Sequence, residues 1–423
     1  MRLHHFLHDL FLGLHAPKKQ DHFRRQQEIS LKNMQERLRI LMIHPHDIFS
    51  SVEPWTRRIR NLAKEFYKRG HLVKVVYFPF SEQRPDCREM EGIEVIPLER
   101  VPSPLTFLKN TFRLTQLSRW ADIVHFQKCH HYAALPASLA AFLAHKPLHY
   151  DWDDWEEMIW YESCGRNWHS KFIGTSFKVL EKSLPLFADT VSVASQHLRT
   201  LALKAGVRKE NIFDAPVGAD VDEFNPFIDG GPVREKLGID NALVLYIGQL
   251  HGAQYLNLFL RAANIVLHET SEVDFMVVGE GFMERHLKGL AHDLGIEKKV
   301  IFTGSVPHHK IPEYIAAADI CIAPFKDTPV TRCKSPLKIV EYMAMGKAIV
   351  ASDVGEVRRM LAGVGILVTP QDIHSLAEGI IRLLKDEALR ESLGGLSRKR
   401  AEKTYNWPKT AESLLMAYRK ALR

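Results

Sequence analysis

Two series of short β-branched runs, each interleaved with longer helical stretches, constrain the fold of this 423-residue chain more than any other feature. This alternation is typical of parallel sheets whose strands are joined by crossover helices. The first series begins at Arg39–His44 and the second at Leu243–Ile247. Between them lies Pro216–Gly231, a segment rich in Pro, Gly and Asp of the kind that separates domains. The pattern predicts an α/β fold with two Rossmann-like, doubly wound domains that face a central cleft.

The predicted strands are short and apolar. The first sheet is expected to contain Arg39–His44, Leu72–Phe78, Ile93–Pro97, Asp122–Phe126, Pro147–Tyr150, Thr190–Val193 and Ile212–Ala215, and the second Leu243–Ile247, Asp274–Val278, Val300–Thr303, Ile320–Ala323, Ala348–Ala351 and Gly365–Val368. We predict a basic amphipathic extension over 1–36, a first domain over 37–215, a second domain over 216–405 and a C-terminal helix over 406–423. That last helix is expected to cross back to the first domain.

Composition and charge exclude several classes of protein. Apolar residues make up 46% of the chain, which is ordinary for packed cores and excludes bulk disorder. The net charge of +7 suits anionic small molecules or a membrane surface, and is too small for a dedicated nucleic-acid-binding protein. The 5 cysteines form no C-x-x-C pair, so we expect a reducing, cytosolic compartment rather than a disulfide framework or a structural zinc site.

The first residues leave two interpretations open. One helical face would carry Leu3, Phe6, Leu7, Leu10, Phe11 and Leu14. This helix could dock on the protein's own surface, or it could lie in a membrane interface with support from Lys18, Lys19, Arg24 and Arg25. Since no apolar run reaches the roughly 18 residues of a spanning helix and no signal cleavage site follows, we expect a cytoplasmic protein. Peripheral contact with the inner face of the membrane belongs to the second interpretation.

Glycine-containing turns follow two predicted strands of the second series. Gly248 follows the first strand, while Gly279 and Gly281 follow the next. In open α/β sheets ligands bind beyond the carboxyl ends of the strands, where glycines let backbone N–H groups approach a phosphate. The third glycine of a dinucleotide fingerprint is missing, so a NAD site is not favoured.

A helix predicted after Pro336 carries the strongest candidate pair. Lys338 and Glu341 are three residues apart and therefore share one helical face. They could form an ordinary surface ion pair. Alternatively, they could face the cleft, where a cation would hold a diphosphate and a carboxylate would hold the hydroxyls of a ribose.

The order of these motifs resembles the donor-binding half of the retaining family 4 glycosyltransferases of GT-B fold. The resemblance rests on PVGADVDEF, YIGQLHG, VVGEG, VIFTGSVPHHKIPEYIAAADICIAPF and SPLKIVEYMAMGKAIVASDVGEV, in this order between Pro216 and Val368. The first half of the chain is a looser match, through RILMIHP, KRGHLVKVV and Asp122–His125.

The resemblance implies transfer of a sugar from a nucleotide-diphosphate sugar, with retention at the anomeric carbon, to an acceptor held by the first domain. It implies a hexosyltransferase-type enzyme of glycoconjugate biosynthesis with a glycan, a lipid-linked glycan or a small molecule as acceptor. No cofactor besides the nucleotide-sugar co-substrate, no metal and no nucleic acid are expected. The implied donor-binding residues are Gly248, Gln249, Glu280, Val306, Ser335, Lys338 and Glu341.

Three departures from the family pattern bear on activity. Gln249 stands where the family usually has Arg, the Lys a few residues further on is missing, and Cys333 stands where the first of two paired Glu is usual. Lys338 is expected to replace the missing cations, and Ser335 to help hold the hydroxyls of the sugar. The departures keep two alternatives open, namely a non-catalytic GT-B subunit that binds sugar nucleotide or glycan, and a nucleotide-sugar epimerase.

Two turns of the first domain supply the remaining candidates. His130 and His131 follow a predicted strand where the family often has a histidine near the donor sugar, although they could also be solvated loop histidines. With Lys338, they are the catalytic candidates. On the acceptor side we expect Arg57, Asp151, Asp153 and Asp154. The three acids could equally mark the start of a helix.

Overall fold

The computed structural model describes residues 37–50, 56–79, 89–101, 103–165, 167–250 and 255–423. The predicted extension over 1–36 lies outside these residues. Residues 39–423 form one compact unit. In the part of the chain that is described, no helix combines the length and the apolar character needed to cross a membrane.

The first sheet has eight strands in the order β3-β4-β2-β1-β5-β6-β7-β8. Their bounds are β1 Arg39–His44, β2 Leu72–Tyr77, β3 Glu89–Met90, β4 Ile93–Pro97, β5 Ile123–Gln127, β6 Leu148–Trp152, β7 Thr190–Val193 and β8 Ile212–Asp214. All neighbouring strands are parallel except the pair β3–β4. We call the part of the chain built on this sheet the first domain. The strand order reverses between β1 and β5, which opens a crevice at their carboxyl ends.

The helices of the first domain connect these strands and cover both faces of the sheet. Their bounds are α1 Thr56–Lys68, α2 Pro104–Trp120, α3 His131–Leu143, α4 Glu156–Cys164, α5 Trp168–Phe187 and α6 Gln196–Ala205. The start of α2 shows why the sequence folds this way locally. Ser103 accepts a hydrogen bond from the backbone N of Thr106 at 3.1 Å, and Pro104 occupies the first turn, where its missing N–H costs nothing.

The second sheet has six strands, all parallel, in the order β11-β10-β9-β12-β13-β14. Its strands are β9 Ala242–Ile247, β10 Val273–Val278, β11 Val300–Gly304, β12 Ile320–Ala323, β13 Ala348–Ser352 and β14 Ile366–Val368. Its helices are α7 Gly231–Leu237, α8 Leu256–Glu269, α9 Glu284–Asp293, α10 Ile311–Ala317, α11 Pro329–Cys333, α12 Leu337–Ala344, α13 Gly355–Leu361, α14 Ile373–Lys385 and α15 Glu387–Lys403. The order reverses between β9 and β12, so the crevice of this second domain opens beyond β9.

The prediction of two parallel-sheet α/β domains is confirmed, and the strand bounds agree to within two residues. The short strand β3 was not predicted. It contains two residues, Glu89–Met90, which is too few for an alternation of apolar and polar side chains to be visible in the sequence.

The C-terminal helix α16, Trp407–Ala421, packs against the first domain. Its buried side includes Ala411, Leu414 and Tyr418. Tyr418 Oη lies 2.8 Å from His125 Nδ1 of β5, and Ser413 Oγ donates to the backbone oxygen of Asp214 at 2.6 Å. The end of the chain therefore completes the layer of helices on the first sheet.

Helix α15 fixes the end of α12, which carries Lys338 and Glu341. Arg398 of α15 donates through Nη1 to the backbone oxygen of Ala344 at 2.6 Å. Gly394 lets the two segments approach closely, because a Cβ at this position would lie 2.2 Å from the backbone oxygen of Gly346.

We expect Gly394→Ala to lower the free energy of unfolding by about 1–3 kcal/mol, since the added methyl group must displace backbone atoms. Gly395→Ala is the matched control in the same helix, because a Cβ there meets no atom within 4 Å. It should stabilise the protein by roughly 0.5–1 kcal/mol through helix propensity. Urea denaturation of both variants measures the difference, and equal effects would contradict the packing argument.

Candidate functional site

Glycines at the carboxyl ends of β9, β10 and β11 bring neighbouring backbones together at the edge of the second sheet. Gly248 N donates to the backbone oxygen of Val278 at 3.0 Å, and Gly279 N donates to that of Gly304 at 2.9 Å. A Cβ at Gly279 would lie 2.0 Å from the oxygen of Gly248, and its φ of +136° favours glycine. A ligand that approaches this edge therefore meets main-chain atoms.

Lys338 lies directly against this glycine edge. Its Nζ is 4.2 Å from the ring centroid of Tyr246, and a Cβ at Gly248 would lie 2.6 Å from the same Nζ. Burial, with a contribution from the charge of Lys334, lowers the pKa of Lys338 to about 7, although Glu341 opposes the shift. Since an anion would favour the charged form of this amine, the position suits a phosphate.

Glu341 lies one helical turn after Lys338 and accepts a hydrogen bond from His308 Nε2 at 2.9 Å. His308 Nδ1 also lies 3.6 Å from Glu223 Oε1. Burial opposes the charge of the imidazole, but its two carboxylate partners raise the pKa of His308 to about 9. The sequence analysis missed His308, although it lies only two residues after the candidate Val306.

The other residues predicted for the donor side are Ser335, Val306, Gln249 and Glu280. Ser335 Oγ accepts a hydrogen bond from Val217 N at 3.0 Å and so ties the start of α12 to the segment between the sheets. Val306 is partly buried in the turn after β11. Gln249 directly follows Gly248, while the side chain of Glu280 is exposed. The structure thus places Lys338 against Gly248 and one helical turn before Glu341.

Cys333, at the position of the missing acid, is buried with 1% of its surface exposed. It packs with the hydrophobic core of the first domain. Burial raises the pKa of the thiol well above its usual value and so keeps it in the neutral form. Any carboxylate that the site uses must therefore come from elsewhere.

Asp151, which the sequence analysis assigned to the acceptor side, lies inside the first domain. It is fully buried, and both its oxygens accept hydrogen bonds from Arg58, through Nε and Nη2, each at 2.7 Å. Ser192 Oγ donates to the same carboxylate at 2.5 Å. Burial disfavours the charge, but Arg58 outweighs it and holds the pKa of Asp151 below its usual range. Asp151 therefore fixes α1, which carries Arg58, to strand β6.

Asp153 and Asp154 face Lys128, which the sequence analysis did not single out. Lys128 Nζ lies 2.9 Å from Asp154 Oδ2, 2.6 Å from Glu156 Oε1 and 3.4 Å from Asp153 Oδ1. Lys128 is 3% exposed and has a φ of +64°, a conformation that a non-glycine residue adopts only where its surroundings impose it. Within the described residues, no group of three or more His, Cys, Asp or Glu side chains is arranged to hold a metal ion.

The two adjacent histidines have different surroundings. His130 Nε2 lies 3.6 Å from Glu156 Oε2, and its ring centroid is 4.8 Å from that of His46. His130 therefore belongs to the polar cluster at the crevice between β1 and β5. His131, at the start of α3, is exposed and lines an apolar groove between α3 and α5.

Arg57 of α1 faces the second domain. Burial lowers the pKa of Arg57, and the attraction of Glu223 and Glu341 opposes this shift. Both carboxylates belong to the donor-side cluster around His308. Arg57, which was predicted for the acceptor side, thus lies near Glu223 and Glu341.

Two family models match successive parts of the chain. Residues 55–218 match a model described as "Glycosyl transferase 4-like domain", and residues 241–386 match one described as "Glycosyl transferases group 1". An uncharacterized glycosyltransferase of Methanocaldococcus jannaschii is 27% identical over 193 residues, which cover 45% of this chain and 48% of the relative. The chain spans about half the length of the curated relatives it matches first.

Solved structures show the same fold at low sequence identity. Sucrose-phosphate synthase from Thermosynechococcus elongatus is 21% identical with a TM-score of 0.72, and the match covers 90% of this chain and 98% of that one. HepE from Anabaena, solved in complex with UDP, is 21% identical with a TM-score of 0.70 over 89% of this chain and 98% of that one. The two sheets therefore form the GT-B fold.

Asp151→Ala tests the structural role of the buried ion pair. The variant leaves Arg58 buried without its carboxylate, so we expect it to lower the free energy of unfolding by about 3–5 kcal/mol. The double variant Arg58→Met/Asp151→Leu should recover most of this loss, because neither member of the ion pair is left buried without its partner.

The matched control is Asp327→Ala, which breaks an exposed pair in which Arg332 Nε lies 2.6 Å from Asp327 Oδ1. Its effect should stay within about 1 kcal/mol, because solvent screens the pair. Urea denaturation compares the variants, and an Asp151→Ala protein as stable as the wild type would contradict the assignment.

Proposed function

We propose, because this chain belongs to the family 4 glycosyltransferases of the GT-B fold, that it transfers a hexose from a nucleotide-diphosphate sugar to an acceptor with retention at the anomeric carbon. The observation that carries the proposal is the position of Lys338 and Glu341 at the glycine edge of the second sheet. The sugar nucleotide is a co-substrate, and no further cofactor takes part.

Lys338 serves as the cation for the diphosphate. Breaking the bond between sugar and phosphate develops negative charge on the leaving diphosphate, and a fixed cation in a partly desolvated site stabilises that charge. The close contact of Lys338 Nζ with Gly248 supports this role. It also supplies positive charge where Gln249 replaces the usual Arg, which argues against the non-catalytic alternative. No feature of the site favours an epimerase.

Glu341 serves as the acceptor of hydrogen bonds from the ribose. His308 engages its Oε1, and we assign Oε2 to the ribose hydroxyls. Because HepE was solved with UDP, uridine nucleotides are the first donors to test. Val306, two residues before His308, is assigned to the side of the base.

The transfer is proposed to need no metal ion, since Lys338 supplies positive charge at the diphosphate. The acceptor is a carbohydrate, free or lipid-linked, or a small molecule, and the first domain holds it. His130 and the cluster around Lys128 line the crevice at which it would meet the donor sugar. The protein is proposed to work in the cytoplasm, and at the inner face of the membrane where the acceptor is lipid-linked.

A nucleoside diphosphate at 100 times its Kd should stabilise the wild-type protein by about 2.7 kcal/mol. Glu341→Gln and Lys338→Met should each remove this stabilisation. They should also abolish the release of nucleoside diphosphate in the presence of acceptor, whether or not EDTA is added. Thermal shift and a nucleotide-release assay provide the two readouts.

Lys310→Met and Glu313→Gln are the matched controls, because these residues form an exposed pair at 2.8 Å in the same domain. They should behave as the wild type. If no nucleoside diphosphate stabilises the wild type at millimolar concentration, or if the controls lose as much as the site variants, the donor site is wrongly assigned.

Nucleotide affinity should fall as the pH rises from 7 to 8.5. The pKa of Lys338 is about 7 in the unliganded protein, below its ordinary 10.5, and a bound diphosphate raises it. Binding above pH 7 therefore takes up a proton, and affinity drops by at most about tenfold per pH unit. The range ends at 8.5 because His308 titrates near 9.

Calorimetry in two buffers of different ionisation enthalpy measures the proton uptake. Lys338→Arg keeps its charge over this range and should bind with little dependence on pH. Equal affinity of the wild type at pH 7 and pH 8.5 would show that Lys338 does not meet the diphosphate.

A further inference from the structure

The outer faces of α2, α3 and α5 expose an unusual number of large apolar side chains. Of the 21 such side chains exposed in the described residues, 13 lie on these three helices. The most exposed are Phe112, Phe142, Trp168, Phe172 and Phe187, each with at least 67% of its surface accessible. Contiguous apolar patches of this kind are rare on monomeric proteins and mark surfaces that contact other proteins or membranes.

The exposed side chains recur with helical spacing, so each helix presents an apolar stripe. On α5, Phe172, Val179 and Leu186 are seven residues apart, which places them on one side. The opposite side buries Phe177 and Leu184 in the core. A helix that only covers a sheet needs a single apolar side, so the outer stripe has no role in the packing of this domain.

The three stripes form one surface, which we call the α2–α3–α5 face. Leu135 of α3 lines a groove together with Phe172 and Val179 of α5, and α2 packs along the other side of α3. The groove also includes His131, the neighbour of His130 in the polar cluster. The face thus extends to the mouth of the first domain's crevice.

The exposed charges on these helices are all positive. They belong to Lys109, Arg113, Arg119, Lys171, Lys178 and Lys182. The single acid on the three helices, Glu181, is 3% exposed, and it accepts hydrogen bonds from the backbone N of Glu156 and Glu157. Lys109 also lies 4.0 Å from Glu99, which precedes α2. The face therefore combines aromatic side chains with cations and presents no carboxylate of its own helices.

We propose that the α2–α3–α5 face docks on a bilayer that contains anionic phospholipid. Aromatic side chains insert at the level of the headgroups, and lysine and arginine side chains contact lipid phosphates, which is the composition of interfacial surfaces. Because the three helices expose cations and no carboxylate of their own, the surface that they contact is an anionic lipid surface. This contact is independent of the transfer reaction and of residues 1–36, and it brings the mouth of the crevice next to the membrane.

Co-sedimentation of the full chain with vesicles tests the proposal. Binding should require phosphatidylglycerol in a phosphatidylcholine vesicle and should weaken with salt. The variants Phe142→Ser/Phe172→Ser and Lys171→Gln/Lys178→Gln should each reduce the vesicle partition coefficient by about tenfold or more. The matched control is Phe227→Ser/Phe282→Ser, which removes two phenylalanines of the second domain that are 93% and 79% exposed. It should bind as the wild type does.

Three outcomes would overturn the proposal. They are unchanged vesicle binding by the face variants, an equal loss in the control, and complete loss on deletion of residues 1–36 while the face variants bind normally. If light scattering shows that the face variants turn a dimer into a monomer, and vesicle binding stays intact, the partner of the α2–α3–α5 face is a second copy of the chain. Thermal shift with UDP is measured in parallel, so a failure of the donor assignment is seen separately from a failure of membrane docking.

Discussion

The main-chain contact between Gly248 and Gly279 is the constraint on which the donor side depends. With a Cβ on Gly279 the ends of β9 and β10 could not approach as they do, because that atom would lie 2.0 Å from the oxygen of Gly248. The turn after β9 would then move away from α12. Its present position puts Lys338 Nζ beside a backbone surface instead of beside other side chains. An amine held there is partly stripped of water, and an anion that reaches it gains more than it would from a solvated lysine.

The two domains handle buried charge in different ways. In the first domain, Arg58 is paired with Asp151, and Lys128 lies within 3.4 Å of carboxylate oxygens of Asp153, Asp154 and Glu156. At the donor side, Glu341 is engaged by His308, and Arg57 approaches from the first domain. The crevice of the first domain, where Lys128 faces three carboxylates, therefore does not attract an anion.

The departures from the family pattern fit this distribution. Gln249 stands where the family usually has a cation, and Lys338 places an amine against the same turn. Cys333 removes an acid, and its side chain joins the hydrophobic core of the first domain. The proposed site therefore has no carboxylate at position 333.

The sequence by itself determined the strands and the helical face that carries the candidate pair. Periodicity predicted the strands to within two residues, and the spacing of Lys338 and Glu341 put both on one face of a helix, because helix and strand geometry are local properties. Only the tertiary structure decided which charges meet. Asp151 pairs with Arg58, which is 93 positions away, and Glu341 with His308, which is 33 positions away. Local sequence patterns do not encode pairings between residues so far apart in the chain. These pairings depend on the order in which the strands assemble into each sheet.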